Sequence, residues 1–168
     1  WFAENQIQVL TEHHVKSIDR EEQTVIAEVD GEERSFDYDR LMIATGSRAR
    51  PFPGSLGGDL AGVYLMRRVA DADALAPELQ AGGKVVVTGG GYIGLEAASV
   101  ARKAGMEVTI VEGSQRILQR VAARETSDWF RDLHQGNGVT LYEGAEVQGL
   151  MNKDGRAVSV LMKDHDGQ

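Results

Sequence analysis

Apolar and polar positions alternate in short bursts over the first third of the chain. The stretches 7–10, 15–18, 24–29 and 41–44 each hold a few apolar residues bounded by turn formers such as Asp30-Gly31, the pattern of strands. Past Pro51, Pro53 and the glycines at 54, 57 and 58, helical spacing over 70–79 predicts a connecting helix. The pattern then changes. Residues 84–88 form an apolar run, 92–104 repeat at helical spacing with alanines on the inner face, Gly105 stops that helix, and 107–111 form a second apolar run. A further helix is predicted over 123–134 and a third strand over 139–142. A hairpin over 147–162 turns at Lys153-Asp154-Gly155, and Asp166-Gly167-Gln168 reads as another hairpin turn. Strand, helix, strand, helix, strand implies a parallel sheet with right-handed crossovers.

The two halves of the chain also match each other. Residues 7–18 align without a gap on residues 139–150, a constant offset of 132. In both copies a strand leads to a valine (Val15, Val147), an apolar residue follows three positions on, and the segment runs towards an Asp-Gly pair. This is a weak internal repeat of about thirty residues. It implies the back of one nucleotide-binding fold followed by the front of another, and with Trp1 at the start it gives the chain the look of an internal fragment.

Composition narrows the chemistry. At 168 residues and 42% hydrophobic side chains the chain can bury a core. Its formal charge of −8 disfavours nucleic acid as a partner, and the acidity is concentrated early: residues 1–83 hold 15 acidic and 8 basic side chains, residues 84–168 hold 11 and 10. No apolar run reaches membrane-spanning length, nothing at the start reads as a signal peptide, and a cytoplasmic setting is expected. With no cysteine, the residues shown contain neither a disulfide nor a redox dithiol nor a thiolate metal site. No metal ligands are assigned: His13 and His14, as neighbours in a strand, point to opposite faces. Trp129 and Phe130 read as core residues, and His134 as a cation at a helix end.

The informative stretch is VVVTGGGYIGLE, residues 85–96. Gly89-Gly90-Gly91-Tyr92-Ile93-Gly94 satisfies G-x-G-x-x-G directly after a predicted strand and at the opening of a predicted helix, the context the motif requires. In that context Gly89 permits the tight turn, Gly91 lets a pyrophosphate approach the main chain, and Gly94 lets helix and strand pack closely. Free N–H groups and the helix dipole favour the anion. Glu112 ends the second strand 18 residues after Gly94, where a carboxylate accepts hydrogen bonds from an adenosine ribose. These features define the fold class as α/β, a Rossmann-like dinucleotide-binding fold with a parallel sheet and β-hairpin or meander additions.

Three segments together resemble the flavin-dependent ferredoxin reductases of the putidaredoxin and rubredoxin reductase type, within the pyridine nucleotide-disulfide oxidoreductase superfamily. They are TGGGYIGLE (88–96), RILQRV (116–121) and LMIATGSRARP (41–51). Thr88 departs from the apolar residue usual before the glycines. In that family an NAD domain interrupts an FAD domain. The resemblance implies that residues 1–52 close the first FAD section, 53–81 connect, and 82–168 open the NAD domain. It places Val15 by the FAD adenine and Thr45, Gly46 and Arg48 along the FAD. It places Gly89, Gly91, Tyr92, Ile93 and Gly94 in the NAD phosphate loop, Glu112 at the ribose and Arg120 beside the NAD. Glu96 falls near the nicotinamide and flavin as the one catalytic residue, and Val147 is the repeat counterpart of Val15 in the NAD domain. The implied cofactors are NAD(H) and FAD, with the FAD site incomplete in this chain because its glycine motif and later acidic motif are absent from the sequence. The implied partner is a ferredoxin- or rubredoxin-type iron-sulfur protein, with neither nucleic acid nor membrane involved. Two other readings stay open: a non-catalytic NAD(H)-sensing module, and a dithiol reductase whose cysteines lie elsewhere.

Overall fold

The computed structural model describes residues 1–163, so the turn expected at 166–168, including the second copy's Asp-Gly pair, lies outside the described residues. The chain divides into two compact units, Trp1–Ser47 and Arg48–Gln168.

The first unit is an antiparallel meander of β1 (His14–Asp19), β2 (Thr24–Val29) and β3 (Glu32–Asp37). A two-residue turn joins β2 to β3, with Asp30 at φ 54° and Gly31 at φ 82°, the left-handed pair that matches strand twist. Ala27 and Val29 supply its buried side chains. Two expected strands are absent. Residues 7–10 and 41–44 are irregular, because an apolar run becomes a strand only where a neighbouring ladder takes its N–H and C=O groups, and β1 to β3 pair only with one another. Their side chains stay in solvent, Met42 at 86% exposure and Ile43 at 70%. His13 accordingly lies just before β1, its ring 5.6 Å from that of Phe36.

The second unit carries the parallel sheet. A short 3-10 turn (Gly54–Leu56) and α1 (Val69–Ala81) lead into β4 (Lys84–Thr88), α2 (Tyr92–Lys103), β5 (Glu107–Glu112), α3 (Arg124–Gly136) and β6 (Thr140–Glu143). Strand order is β4-β5-β6, all parallel, which is the first half of a doubly wound sheet. Alanines at 98 and 101 on α2, both almost fully buried, let the helix axis approach Val108 and Ile110 of β5. Leu95, Met106, Ile117, Leu118 and Val139 close the same core. The hairpin β7 (Glu146–Lys153) and β8 (Arg156–Lys163) follows, turning at Asp154-Gly155, whose N–H at Gly155 bonds the Asn152 side chain at 2.9 Å.

The internal repeat has a backbone counterpart. The β1–β2 ladder slips register between Val15 and Ser17, and the β7–β8 ladder slips between Val147 and Gly149, positions 132 residues apart in each case. Both strands carry a bulge immediately after the repeated valine.

Two helix residues differ from expectation. Trp129 is 59% exposed while Phe130 packs against the core, since adjacent helix positions diverge by about 100° and only one can face inward. His134 is buried, and that burial holds its imidazole below the ordinary value of 6.5, so packing rather than a favourable cation explains it. An unfolded chain therefore takes up this proton first. Stability is expected to be lost as pH falls through 6.5, the loss saturating below the depressed native value. Urea unfolding of the natural chain and of His134→Gln across pH 5 to 8 measures it: the natural chain should show the steeper decline, and parallel curves would remove His134 from the acid response.

Candidate dinucleotide site

The turn between β4 and α2 is fixed glycine by glycine. Gly89 sits at φ 106° and donates to the carbonyl of Val111 at 2.8 Å, so the chain reverses at once as β4 ends. A Cβ at Gly94 would overlap the carbonyl oxygen of Gly89, and one at Gly90 would overlap the Ile117 side chain. Gly91 is different. Its φ of −81° and ψ of −177° suit any residue, and no atom lies within 4 Å of where its Cβ would stand. Neither the fold's geometry nor its packing asks for glycine there. The space in front of it is open.

Gly91 is also the N-cap of α2. No side chain caps that helix and its first turn has no acidic residue, so the N–H groups at its start lack the usual partners. Tyr92 and Ile93, each more than half exposed, flank the opening. An uncapped helix start beside an unfilled cradle has the donor set and the room for a pyrophosphate.

Glu112, at the end of β5, is half-buried and held by two backbone donors. One carboxylate oxygen accepts from the Gly90 N–H at 2.6 Å and the other from the Ser114 N–H at 2.6 Å. Each oxygen retains a further lone pair. The Gly90 peptide is gripped from its other side too, because its carbonyl accepts from the Leu118 N–H at 2.9 Å. Leu118 is buried at φ 55°, an uncommon conformation for a branched side chain, so the 113–123 loop is held in place by its surroundings. Among these, Glu143 accepts from the Ile117 N–H at 2.7 Å while Arg131 grips the same carboxylate at 2.7 and 3.1 Å. Asp128 and Glu143 raise the Arg131 guanidinium above its already high range, which keeps this fork charged at any working pH.

The residues singled out by sequence therefore distribute unevenly. Gly89, Gly91, Tyr92, Ile93, Gly94 and Glu112 meet around one turn, and Arg120 is exposed on the adjoining loop. Val147 lies two residues past Ala145, whose N–H bonds the Glu112 carbonyl at 3.0 Å. Glu96 is exposed on α2 and borders a shallow groove between α2 and α3 with Tyr92, Ser99 and Leu133. Val15, Thr45 and Gly46 belong to the first unit and are exposed, with Gly46 at φ 76°, and Arg48 opens the second unit. Sequence reasoning passed over Gly90, Leu118 and the Arg131–Glu143 pair. The run of three glycines was the available signal for Gly90, whereas the other contacts join positions distant in sequence. Among the described residues there is no helix long and apolar enough to cross a membrane, nor any group of three or more His, Asp or Glu side chains placed to hold a metal.

The family model for pyridine nucleotide-disulphide oxidoreductases matches residues 2–168. The chain belongs to that family. Within it, the chain is 40% identical to putidaredoxin reductase of Pseudomonas putida over 96% of its own length and 38% of the relative's. It is 37% identical to a chloroplastic/mitochondrial monodehydroascorbate reductase of Arabidopsis thaliana, over 98% of its own length and 33% of that protein's. Among solved structures, the covalent putidaredoxin reductase–putidaredoxin complex superposes with a TM-score of 0.77 at 38% identity, covering 99% of this chain and 40% of that one. The chain thus spans between a third and two fifths of these pyridine nucleotide-disulphide oxidoreductases.

Proposed function

We propose that this chain is the NADH-binding portion of a flavoprotein reductase that passes electrons to a ferredoxin-type iron-sulfur protein. The observation that carries the reading is the open space at Gly91, in front of an uncapped helix start and beside the carboxylate of Glu112. The N–H groups at the start of α2 hold the pyrophosphate, with Tyr92 and Ile93 walling the opening. Glu112 accepts from the adenosine ribose hydroxyls with the lone pairs its backbone contacts leave over. Arg120 adds positive charge from the 113–123 loop, and Val147 borders the adenosine end. Val15, Thr45, Gly46 and Arg48 serve the FAD. When bound, the nicotinamide supplies a hydride and the flavin accepts it, so no side chain of this chain need act as a nucleophile. Glu96 orients the nicotinamide by its charge and polarity. The family membership and the likeness to putidaredoxin reductase support the flavin and the acceptor class.

The test is spectroscopic. The purified holoenzyme should carry a flavin absorption that bleaches on anaerobic addition of NADH and returns when an oxidised ferredoxin is added. Persistent absence of flavin would leave an NADH-sensing module as the reading. In the same instrument Glu96→Gln should slow flavin reduction at saturating NADH by roughly ten- to a hundredfold, the worth of one hydrogen bond to a charged group, while the dissociation constant shifts far less. Equal reduction rates would reduce Glu96 to a solvated helix residue.

A further inference from the structure

Two arginines lie four residues apart in the loop after Glu112, and they do different work. Arg116 is consumed by its own loop. Its guanidinium donates to the Ser127 hydroxyl, to the Ala122 carbonyl at 2.9 Å, and to the carbonyls of Gln119 and Ala123 at 3.4 Å. Ser127 is completely buried and passes the restraint on, donating to the Ile117 carbonyl at 2.6 Å. Arg120, by contrast, is exposed, and among the described residues its guanidinium has no partner.

We infer that Arg116 is a positioning residue for dinucleotide binding: it staples the 113–123 loop onto the first turn of α3 so that Leu118 fixes the glycine turn and Arg120 is presented to the ligand's anionic groups. This rests on the dinucleotide reading above. The geometry supplies the chain of contacts. Arg116 and Ser127 pin both ends of residues 117–123; Ile117 and Leu118, at the start of that stretch, meet Gly90 through a side chain and an N–H. A planar fork suits this task because carbonyls in several directions can be bound at once by one rigid group, which a lysine ammonium on a flexible stem cannot reproduce. Arg116 is therefore not free to read a 2′-phosphate. Any effect of Arg116 on nucleotide choice should run through Arg120.

The test is a double-mutant cycle on NADH affinity, followed by fluorescence titration. Arg116→Lys and Ser127→Ala should each weaken NADH by roughly tenfold, the worth of about one charged hydrogen bond transmitted to the site. In an Arg120→Gln background the same changes should cost much less, because the arginine they deliver is already gone. In the flavin-loaded holoenzyme the loss should fall on KM for NADH with kcat at saturation unchanged. In the Arg120→Gln background, Arg116→Lys should weaken NADH and NADPH by the same factor. Ser127→Ala keeps every backbone contact of Arg116 and stands as the milder variant should the lysine variant fold poorly. Equal losses in the two backgrounds, or a lower melting temperature with NADH affinity untouched, would overturn the inference. A larger loss for NADPH than for NADH in the Arg120→Gln background would overturn it in favour of direct phosphate contact. If the natural chain itself binds no NADH, the dinucleotide reading fails and takes this one with it.

Discussion

Gly91→Val is expected to fold and to lose NADH binding by on the order of a hundredfold or more, the equivalent of roughly two displaced charge-assisted hydrogen bonds. Valine tolerates the extended conformation of this position, and its Cβ meets no protein atom within 4 Å. The methyl groups would instead fill the space in which a pyrophosphate reaches the N–H groups of the helix start. The contrast is Gly94, where even an alanine must push aside the Gly89 carbonyl and so strains the fold itself. Circular dichroism and calorimetry on the two variants separate these costs. Gly91→Val should lose heat of binding with only the small stability cost of a poorer N-cap, while Gly94→Ala loses binding together with far more stability. A folded Gly91→Val variant with natural NADH affinity would mean that the space serves no phosphate.

The second large effect concerns which nucleotide binds. With a carboxylate at the end of β5, NADH should be preferred to NADPH, since a 2′-phosphate there meets like charge; Arg116 is engaged by its own loop, which leaves Arg120, farther from the strand end in sequence, as the loop's one arginine to offset it. Glu112→Ala should weaken NADH roughly ten- to a hundredfold, as hydrogen bonds to a charged acceptor are worth about 1.5 to 3 kcal/mol. The gap to NADPH should narrow, and Glu112→Arg should reverse the preference. Because Glu112 also binds the N–H groups of Gly90 and Ser114, the alanine variant should lose stability as well. Glu112→Gln, which retains one amide oxygen as acceptor, separates the two losses. Equal affinity of the natural chain for both nucleotides would overturn this role for Glu112.

The parallel sheet and its glycine turn were legible because their signals are local. A β-α-β unit announces itself by spacing, and Gly89 and Gly94 answer constraints within a few residues of themselves. The strands expected at 7–10 and 41–44 failed because their formation depends on a neighbour, which no alternation of side chains can guarantee. Trp129 and His134 were misjudged for a related reason: which face of a helix is buried depends on what packs against it, so an indole read as core stands in solvent and an imidazole read as a surface cation is enclosed. Around the glycine turn, sequence singled out the glycines and Glu112 and passed over the contacts that hold their loop in place. Glu143 and Arg131 steady Ile117 across 26 and 14 positions of sequence, and no motif encodes such a distance.

The paired bulges carry a lesson about what this chain can tolerate. Residues 7–18 and 139–150 share an identical side chain only at Val15 and Val147, yet both strands are irregular one step later. What the two copies have in common is thus a local miscount: one residue after the valine, Lys16 or Gln148, has no counterpart at that point of the ladder. Replacing the surplus residue, Lys16 or Gln148, alters little of that arithmetic. Deleting it would keep the pairs on either side, Val15 with Ala27 and Ser17 with Ile26, or Val147 with Met162 and Gly149 with Leu161, but would remove the local bend and added twist that the bulge gives the strand. Lineages of this fold can therefore be expected to drift freely in composition through these strands while insertions and deletions are purged, so that length is the inherited character and spelling the variable one.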